Sequence, residues 1–303
     1  MKSLSLFALR IAMLAAWLLL PAPLLANGEC AELRPAGVAE RFGYQPGDTL
    51  LTIDASVREI PDFSFAGCRG LRRVVFPADS HCRRIGEYAF AECTDLESIE
   101  LPSGLKEMGE GVFRECRALR TLAIPSGVKK IPRECCIRCV SLTEVSLPPA
   151  LTAIGSFSFT GCALLAYVRF PAALREIGSN AFGGAESLTE VMIPAEVHTL
   201  ESYAFAGCRN LRRLRLPAAP KLLGELIVAD CPHLDTIEAP APVPPPFDCE
   251  STLFEPDDRA SYRRCTLCVS SPQTVTRYSR APGWSLFTHI RICATRPDTA
   301  SER

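Results

Sequence analysis

Fifteen cysteines stand in this chain of 303 residues, and no other residue type in it offers as much chemistry. A thiolate is a nucleophile and a soft metal ligand, and two thiols within reach oxidise to a disulfide. Two Cys-x-x-Cys spacings occur, Cys136–Cys139 and Cys265–Cys268, the spacing used by zinc and dithiol redox sites. Zinc needs four converging ligands, and these two pairs lie far apart in the chain. The four histidines, His81, His198, His233 and His289, are scattered. No Gly-x-Ser-x-Gly, His-Glu-x-x-His or Gly-x-x-x-x-Gly-Lys supplies a nucleophile elbow, a metalloprotease helix or a phosphate loop. A thiol- or metal-dependent enzyme is therefore only the third of three readings. No catalytic, cofactor-binding or metal residue is assigned, and no cofactor is expected.

A repeat positions these cysteines. Proline falls at 77, 102, 125, 148, 171, 194, 217 and 240, one step of 25 followed by six of 23. Cysteine keeps the same period at 68, 93, 116, 139, 162, 208 and 231, with Ala185 in the gap. Phenylalanine does so at 65, 90, 113, 159, 182 and 205, with Cys136 and Val228 substituting. Eight units cover roughly residues 57 to 240. Cys82 and Cys135 fall in apolar columns too, so ten cysteines read as small buried hydrophobes, a common role for a free thiol. Cys30, Cys249, Cys265, Cys268 and Cys293 remain, and bridges among the last four are open in any pairing. Cys30 cannot join them, because eight coils at ~4.8 Å per strand separate the ends by ~38 Å, against ~6 Å between bridged Cα atoms.

Each unit ends in apolar residues two apart, as in Ile99/Leu101, Val145/Leu147, Val168/Phe170 and Leu214/Leu216, the alternation of a half-buried strand. The following proline lacks the N–H that a ladder needs and ends it. An earlier pair three apart (Leu105/Met108, Val128/Ile131, Leu151/Ile154, Leu174/Ile177) predicts a short turn or helical piece. Gly86, Gly109, Gly155 and Gly178 follow that pair and read as turn residues. A 23-residue unit cannot bury its own apolar face, whereas stacked units can, with a parallel sheet along one side.

The consensus Leu-x-x-Ile-Gly-x-x-Ala-Phe-x-x-Cys-x-x-Leu-x-x-Val-x-Leu-Pro, best seen at Ile85–Cys93 and Ile177–Phe182, resembles the 23-residue treponemal or BspA-like class of bacterial leucine-rich repeats. Thr266–Val269, Val275–Tyr278, Gly283-Trp284, Phe287 and Ile290 resemble the strand and closing helix that end many such proteins; Ser270 stands where that pattern favours Pro. The resemblance implies a right-handed curved leucine-rich-repeat solenoid of about eight repeats, of α/β type, with short parallel strands and short helical or turn segments. It also implies a secreted or surface-displayed interaction scaffold, some members of the class being adhesins, and no chemistry.

Residues 1–28 read as a signal peptide: Lys2 and Arg10, an apolar run from Ile11 to Ala26, then small residues at Ala26 and Gly28. An uncleaved anchor and a lipid-modified Cys30 are the alternatives, though Glu29 departs from the small residue that lipoprotein processing prefers. Residues 29–56 then form an N-terminal cap, and 241–303 a C-terminal cap with a Pro-rich lead-in. The 48% hydrophobic and 22% charged residues exclude a disordered chain, and a net charge of −1 argues against nucleic acid as partner. With no other apolar stretch able to span a bilayer, export to the surface, outer membrane or periplasm, or secretion, is expected.

Solenoids bind on the concave face their strands make. Its two exposed columns read Arg73, Ser98, Thr121, Glu144, Tyr167, Glu190, Arg213, Thr236 and Val75, Glu100, Ala123, Ser146, Arg169, Met192, Arg215, Glu238. Tyr167, Arg169, Glu190, Met192, Arg213 and Arg215 fall on three consecutive units, and aromatic, Met and Arg residues are enriched at protein interfaces. The leading expectation is thus an adhesin-like scaffold for a host or envelope protein, and the alternative a structural or assembly protein of the envelope.

Overall fold

The computed structural model describes residues 33–35, 37–247, 252–255 and 257–293. The signal peptide, Cys30 and Cys249 lie outside the described residues. The chain winds into a solenoid carrying two rows of short parallel strands. One row comprises β1 (Leu50–Thr52), β3 (Arg73–Val75), β5 (Ser98–Glu100), β7 (Thr121–Ala123), β9 (Glu144–Ser146), β12 (Glu190–Met192), β14 (Arg213–Arg215), β16 (Thr236–Glu238), β17 (Thr266–Val269) and β18 (His289–Ile292). Their register is the repeat itself, with Leu50, Arg73 and Ser98 as consecutive Cα partners.

A second row arises where the sequence predicts a turn or helical piece. Two-residue strands β2 (Glu59–Ile60), β4 (Arg84–Ile85) and β6 (Glu107–Met108) pair in parallel, as do β8 (Lys130–Ile131), β10 (Ala153–Ile154), β11 (Glu176–Ile177), β13 (Thr199–Leu200) and β15 (Leu222–Leu223). The apolar pair three apart therefore brackets a strand whose buried residue is its second member. Gly86, Gly109, Gly155 and Gly178, expected to serve a turn, each directly precede one and also permit close coil contact. A Cβ at Gly109 would sit 2.3 Å from the Glu87 nitrogen, and one at Gly178 2.5 Å from that of Ser156.

Between the rows the chain turns back through left-handed residues in two columns. Phe63, Tyr88, Gly111, Glu134, Phe157, Asn180, Tyr203 and Leu226 form one, and Gly67, Glu92, Glu115, Arg138, Gly161, Gly184, Gly207 and Asp230 the other. Between them the phenylalanine column stacks ring on ring, with centroids 5.0 Å apart at Phe65–Phe90 and 5.4 Å at Phe182–Phe205. Among the described residues, α-helix is confined to the last coils: α1 (Arg259–Arg264), capped by Asp258, and α2 (Pro272–Tyr278), capped by Ser271. Tyr278 and Trp284 donate to the carbonyls of Ala241 and Pro245, tying this region to the Pro-rich lead-in.

The first strand row is not continuous. It divides into β1-β3-β5, β7-β9 and β12-β14-β16-β17-β18. The alternation at Val168/Phe170 predicts a strand, yet Tyr167 makes only an isolated bridge to Glu144. The column holds Phe at 76 and 170 and Ile, Leu or Ala in the other units, and the Phe170 ring lies edge-on to Phe182 at 5.5 Å. Phe76 occupies the same column, and its ladder bond stretches to 3.4 Å against 2.9 Å at Ile53 and Ile124. β3, which Phe76 follows, nonetheless keeps both neighbours, and the break between β5 and β7 falls beside Leu101, so ring size alone does not account for the gaps.

Candidate functional site

All eleven free cysteines among the described residues are buried. Burial is only part of the reason for a thiol in that column. Cys93 donates to the carbonyl of Phe65, Cys116 to Phe90, Cys139 to Phe113 and Cys162 to Cys136, at 3.1–3.2 Å. Cys208 and Cys231 repeat the contact at 3.3 Å. Each thiol gives a carbonyl of the preceding unit a further hydrogen bond inside the apolar core, at Phe65, Phe90, Phe113, Cys136 and Phe182 beside the backbone one it already accepts, which Val or Ala could not do. Desolvation pushes the thiols of Cys93, Cys116, Cys136, Cys162 and Cys208 well up, and those of Cys231 and Cys265 to about 12. The reactive thiolate is therefore scarce at neutral pH. No group of three or more His, Cys, Asp or Glu among the described residues is arranged to hold a metal.

We expect Cys93, Cys116, Cys139 and Cys162 to resist a thiol-reactive reagent until the protein is denatured, as mass spectrometry of pulse-labelled protein would read. Rapid labelling of any of the four in the folded chain would contradict this packing.

The strand face carries the exposed chemistry. Arg73 pairs with Glu100, and Arg72 with Glu97 at 3.1 Å. Towards the C-terminal half, Arg169 donates through Nε to the Tyr167 hydroxyl at 3.1 Å, and Arg213 Nη1 lies 3.7 Å from Glu190 Oε1. Tyr167 is 56% exposed. Met192 and Arg215 are half-buried, and Arg215 lines a shallow notch with Glu238, Ala239, Pro240 and Cys268. The structure thus places all six predicted residues on one face, with two polar pairs: Arg169 on Tyr167, and Arg213 on Glu190.

Two apolar side chains of this region escape the strand-column reasoning. Leu164 is 52% exposed and Val140 40%, both on loops that lead into the strand row. Their signal was present in the repeat. Leu164 makes a doublet with the core residue Leu165, in a column otherwise holding Ala118, Ser141, Ser187 and Asn210. Val140 stands where neighbouring units have Arg117, Ala163, Glu186 and Arg209. These two, with Tyr167, lie in consecutive units beside the gap in the ladder.

The profile of the BspA type leucine-rich repeat region matches residues 42–152 and 129–244, in six copies. The chain belongs to this family of bacterial-type leucine-rich repeats. Among solved structures, it is similar to a leucine-rich repeat protein from Bacteroides ovatus, with 23% identity, 67% of this chain and 58% of that chain covered, and a TM-score of 0.51. The chain therefore spans little more than half of that protein's length. It is also similar to the Treponema pallidum leucine-rich repeat protein, with 30% identity, 63% and 80% coverage, and a TM-score of 0.45. A leucine-rich cell surface protein from Faecalibacterium prausnitzii shares 20% identity over 84% of this chain and 82% of that one, with a TM-score of 0.40. No curated protein matches. Among the described residues no helix is long and apolar enough to cross a membrane.

Proposed function

We propose that this chain is an exported, non-enzymatic scaffold that recognises a protein partner on the strand face of the units ending at Pro171, Pro194 and Pro217. The observation that carries this reading is the exposed Tyr167, held by a hydrogen bond from Arg169, with exposed Leu164 in the same unit and the Arg213–Glu190 pair on the two units that follow. A rigid ring with a polar tip, an apolar surround and a rim of guanidinium groups is the composition of an interface hot spot. Arg169, Arg213 and Arg215 favour carboxylates on the partner, while Glu190 and Glu144 orient basic groups. The low reactivity of the thiols supports a binding role over a thiol enzyme. Residues 1–28 support export, and a cell-surface position suits an adhesin-like task.

The test is a partner captured with the full mature chain and then titrated against the Tyr167→Ala/Arg213→Glu double variant, with folding checked by circular dichroism. Both positions are on the solvent side of the strand row, so the fold should change by well under ~1 kcal/mol. Binding should weaken by at least ~2 kcal/mol, about thirtyfold. Unchanged affinity in a folded double variant would move the site off this face.

A further inference from the structure

The two ends of the solenoid are finished differently. At the N-terminal end Val38, Ala39 and Tyr44 are buried, Tyr44 lies edge-on to Phe65, and Leu51 and Ile53 of the first coil are covered. At the other end the same two core columns pass through Leu267 and Val269, both buried, and reach Ile290 and Ile292. There the cover thins: among the described residues Ile290 is half-buried and Ile292 is 54% exposed.

Among the described residues β18 is also the last strand of its ladder, with β17 its one neighbour. Cys293 N–H donates inward to Val269. By the alternation of a parallel strand, the N–H and C=O groups of Ile290 and Ile292 then face outward, away from β17. An edge of this kind is a template for a further strand. The side chains that alternate with the isoleucines on it are the exposed His289 and the exposed, cationic Arg291. Elsewhere on this same face the solenoid sets acids beside strand arginines, Glu100 against Arg73 and Glu190 against Arg213.

We infer that the C-terminal edge of the solenoid is a β-augmentation site for an extended protein segment alternating acidic and branched apolar residues. Its apolar residues would extend the columns of Ile290 and Ile292, and its carboxylates would stand beside His289 and Arg291. This site is separate from the Tyr167 face and does not depend on that reading. A second copy fits less well. The twofold registers centred on Ile290 and on Arg291 set His289 against Arg291 or Arg291 against Arg291, and the one centred on Ile292 sets Arg291 against Cys293, so none offers either side chain a carboxylate. Head-to-tail stacking would set β18 against β1, whose outward side chains Leu50 and Thr52 offer no carboxylate to His289 or Arg291.

The test uses the full chain and two labelled heptapeptides, one alternating Glu with Ile and one alternating Lys with Ile, with binding read by fluorescence anisotropy. The acidic peptide should bind at least about tenfold more tightly than the basic one, and the Arg291→Glu variant should reverse that preference. Because Arg291 is exposed, the substitution leaves the fold in place, which circular dichroism checks. Replacing the central Ile of the acidic peptide by Pro removes a ladder donor and should abolish binding. Equal binding of the two peptides, no binding of either, or an unaltered preference in Arg291→Glu would overturn the proposal. So would a dimer of the free chain that Ile292→Lys dissociates, since the edge would then belong to a second copy.

Discussion

Glu134→Ala is expected to destabilise the fold by about 3–5 kcal/mol, several times the effect of removing an exposed ion pair such as Arg72–Glu97. The side chains of Arg114 and Glu134 are 4% and 6% exposed, and Arg114 Nη1 donates to Glu134 Oε2 at 2.9 Å. The other carboxylate oxygen of Glu134 accepts from Arg133 at 3.0 Å. A neighbouring turn repeats the device, with buried Glu115 held by Arg117 at 2.8 Å and Arg138 at 3.1 Å. Removing the carboxylate deprives Arg114 of this counter-charge inside the turn ridge, where desolvation is already costly. Glu134 also has a left-handed backbone, φ 56°, so Glu134→Gly relieves that strain while removing the same charge. Two contributions are thereby separated: Glu134→Gly should recover up to ~1 kcal/mol relative to Glu134→Ala and still lie well below the parent. Urea denaturation followed by circular dichroism reads both. A Glu134→Ala midpoint equal to the parent's would mean that this ion pair contributes nothing to holding the turns together.

The ion-pair cluster also marks where sequence reasoning stops. The columns of Cys, Phe, Leu and Pro specify the coil, because each is a demand of the shared core, and the core is the same in every unit. Arg114, Glu115, Glu134 and Arg138 break no column rule and look like surface charge; only the folded turns reveal that their side chains are enclosed. The second strand row was hidden for a related reason. Two-residue strands such as Glu107–Met108 are too short to show an alternation, so their apolar residue reads equally well as a turn. The missing strand at Val168/Phe170 is the opposite case: the alternation is present and both residues are buried, yet no strand forms. For the candidate site, exposed columns gave Tyr167 and the arginines directly, whereas Leu164 and Val140 required comparing loop positions between units. The thiol-to-carbonyl contacts could not be read at all, since a column of cysteines tells of small size and apolarity before it tells of donation.

Reduction of the Cys268–Cys293 disulfide should produce the second large effect. The two Cα atoms are 5.3 Å apart, and the residues are separated by 25 positions. Closing a loop of that length restricts the unfolded chain, which corresponds to ~3.5 kcal/mol on the chain-entropy account. The location makes the loss local. Cys268 is on β17 and Cys293 follows β18, so the bridge fastens the last strand to the one before it, and α2 lies within the loop it closes. Among the described residues β18 has a neighbour on one side only and two isoleucines partly in water, so it has less packing to fall back on than the inner strands. In a solenoid each coil is held chiefly by the coils beside it. The Cys268→Ser/Cys293→Ser variant should therefore fray from this end, with Tyr278 and Trp284 losing burial while the coils around Phe90 and Phe182 stay intact. Hydrogen exchange resolved by peptide distinguishes the two regions: faster exchange over residues 266–292 and unchanged exchange over 85–215 is the expected result. Uniform loss of protection along the chain would show that the bridge supports the whole stack. No change anywhere would show that β17 and β18 hold together without it. The eleven free thiols of the described residues are already reduced, so among those residues a reductant acts on this bridge alone.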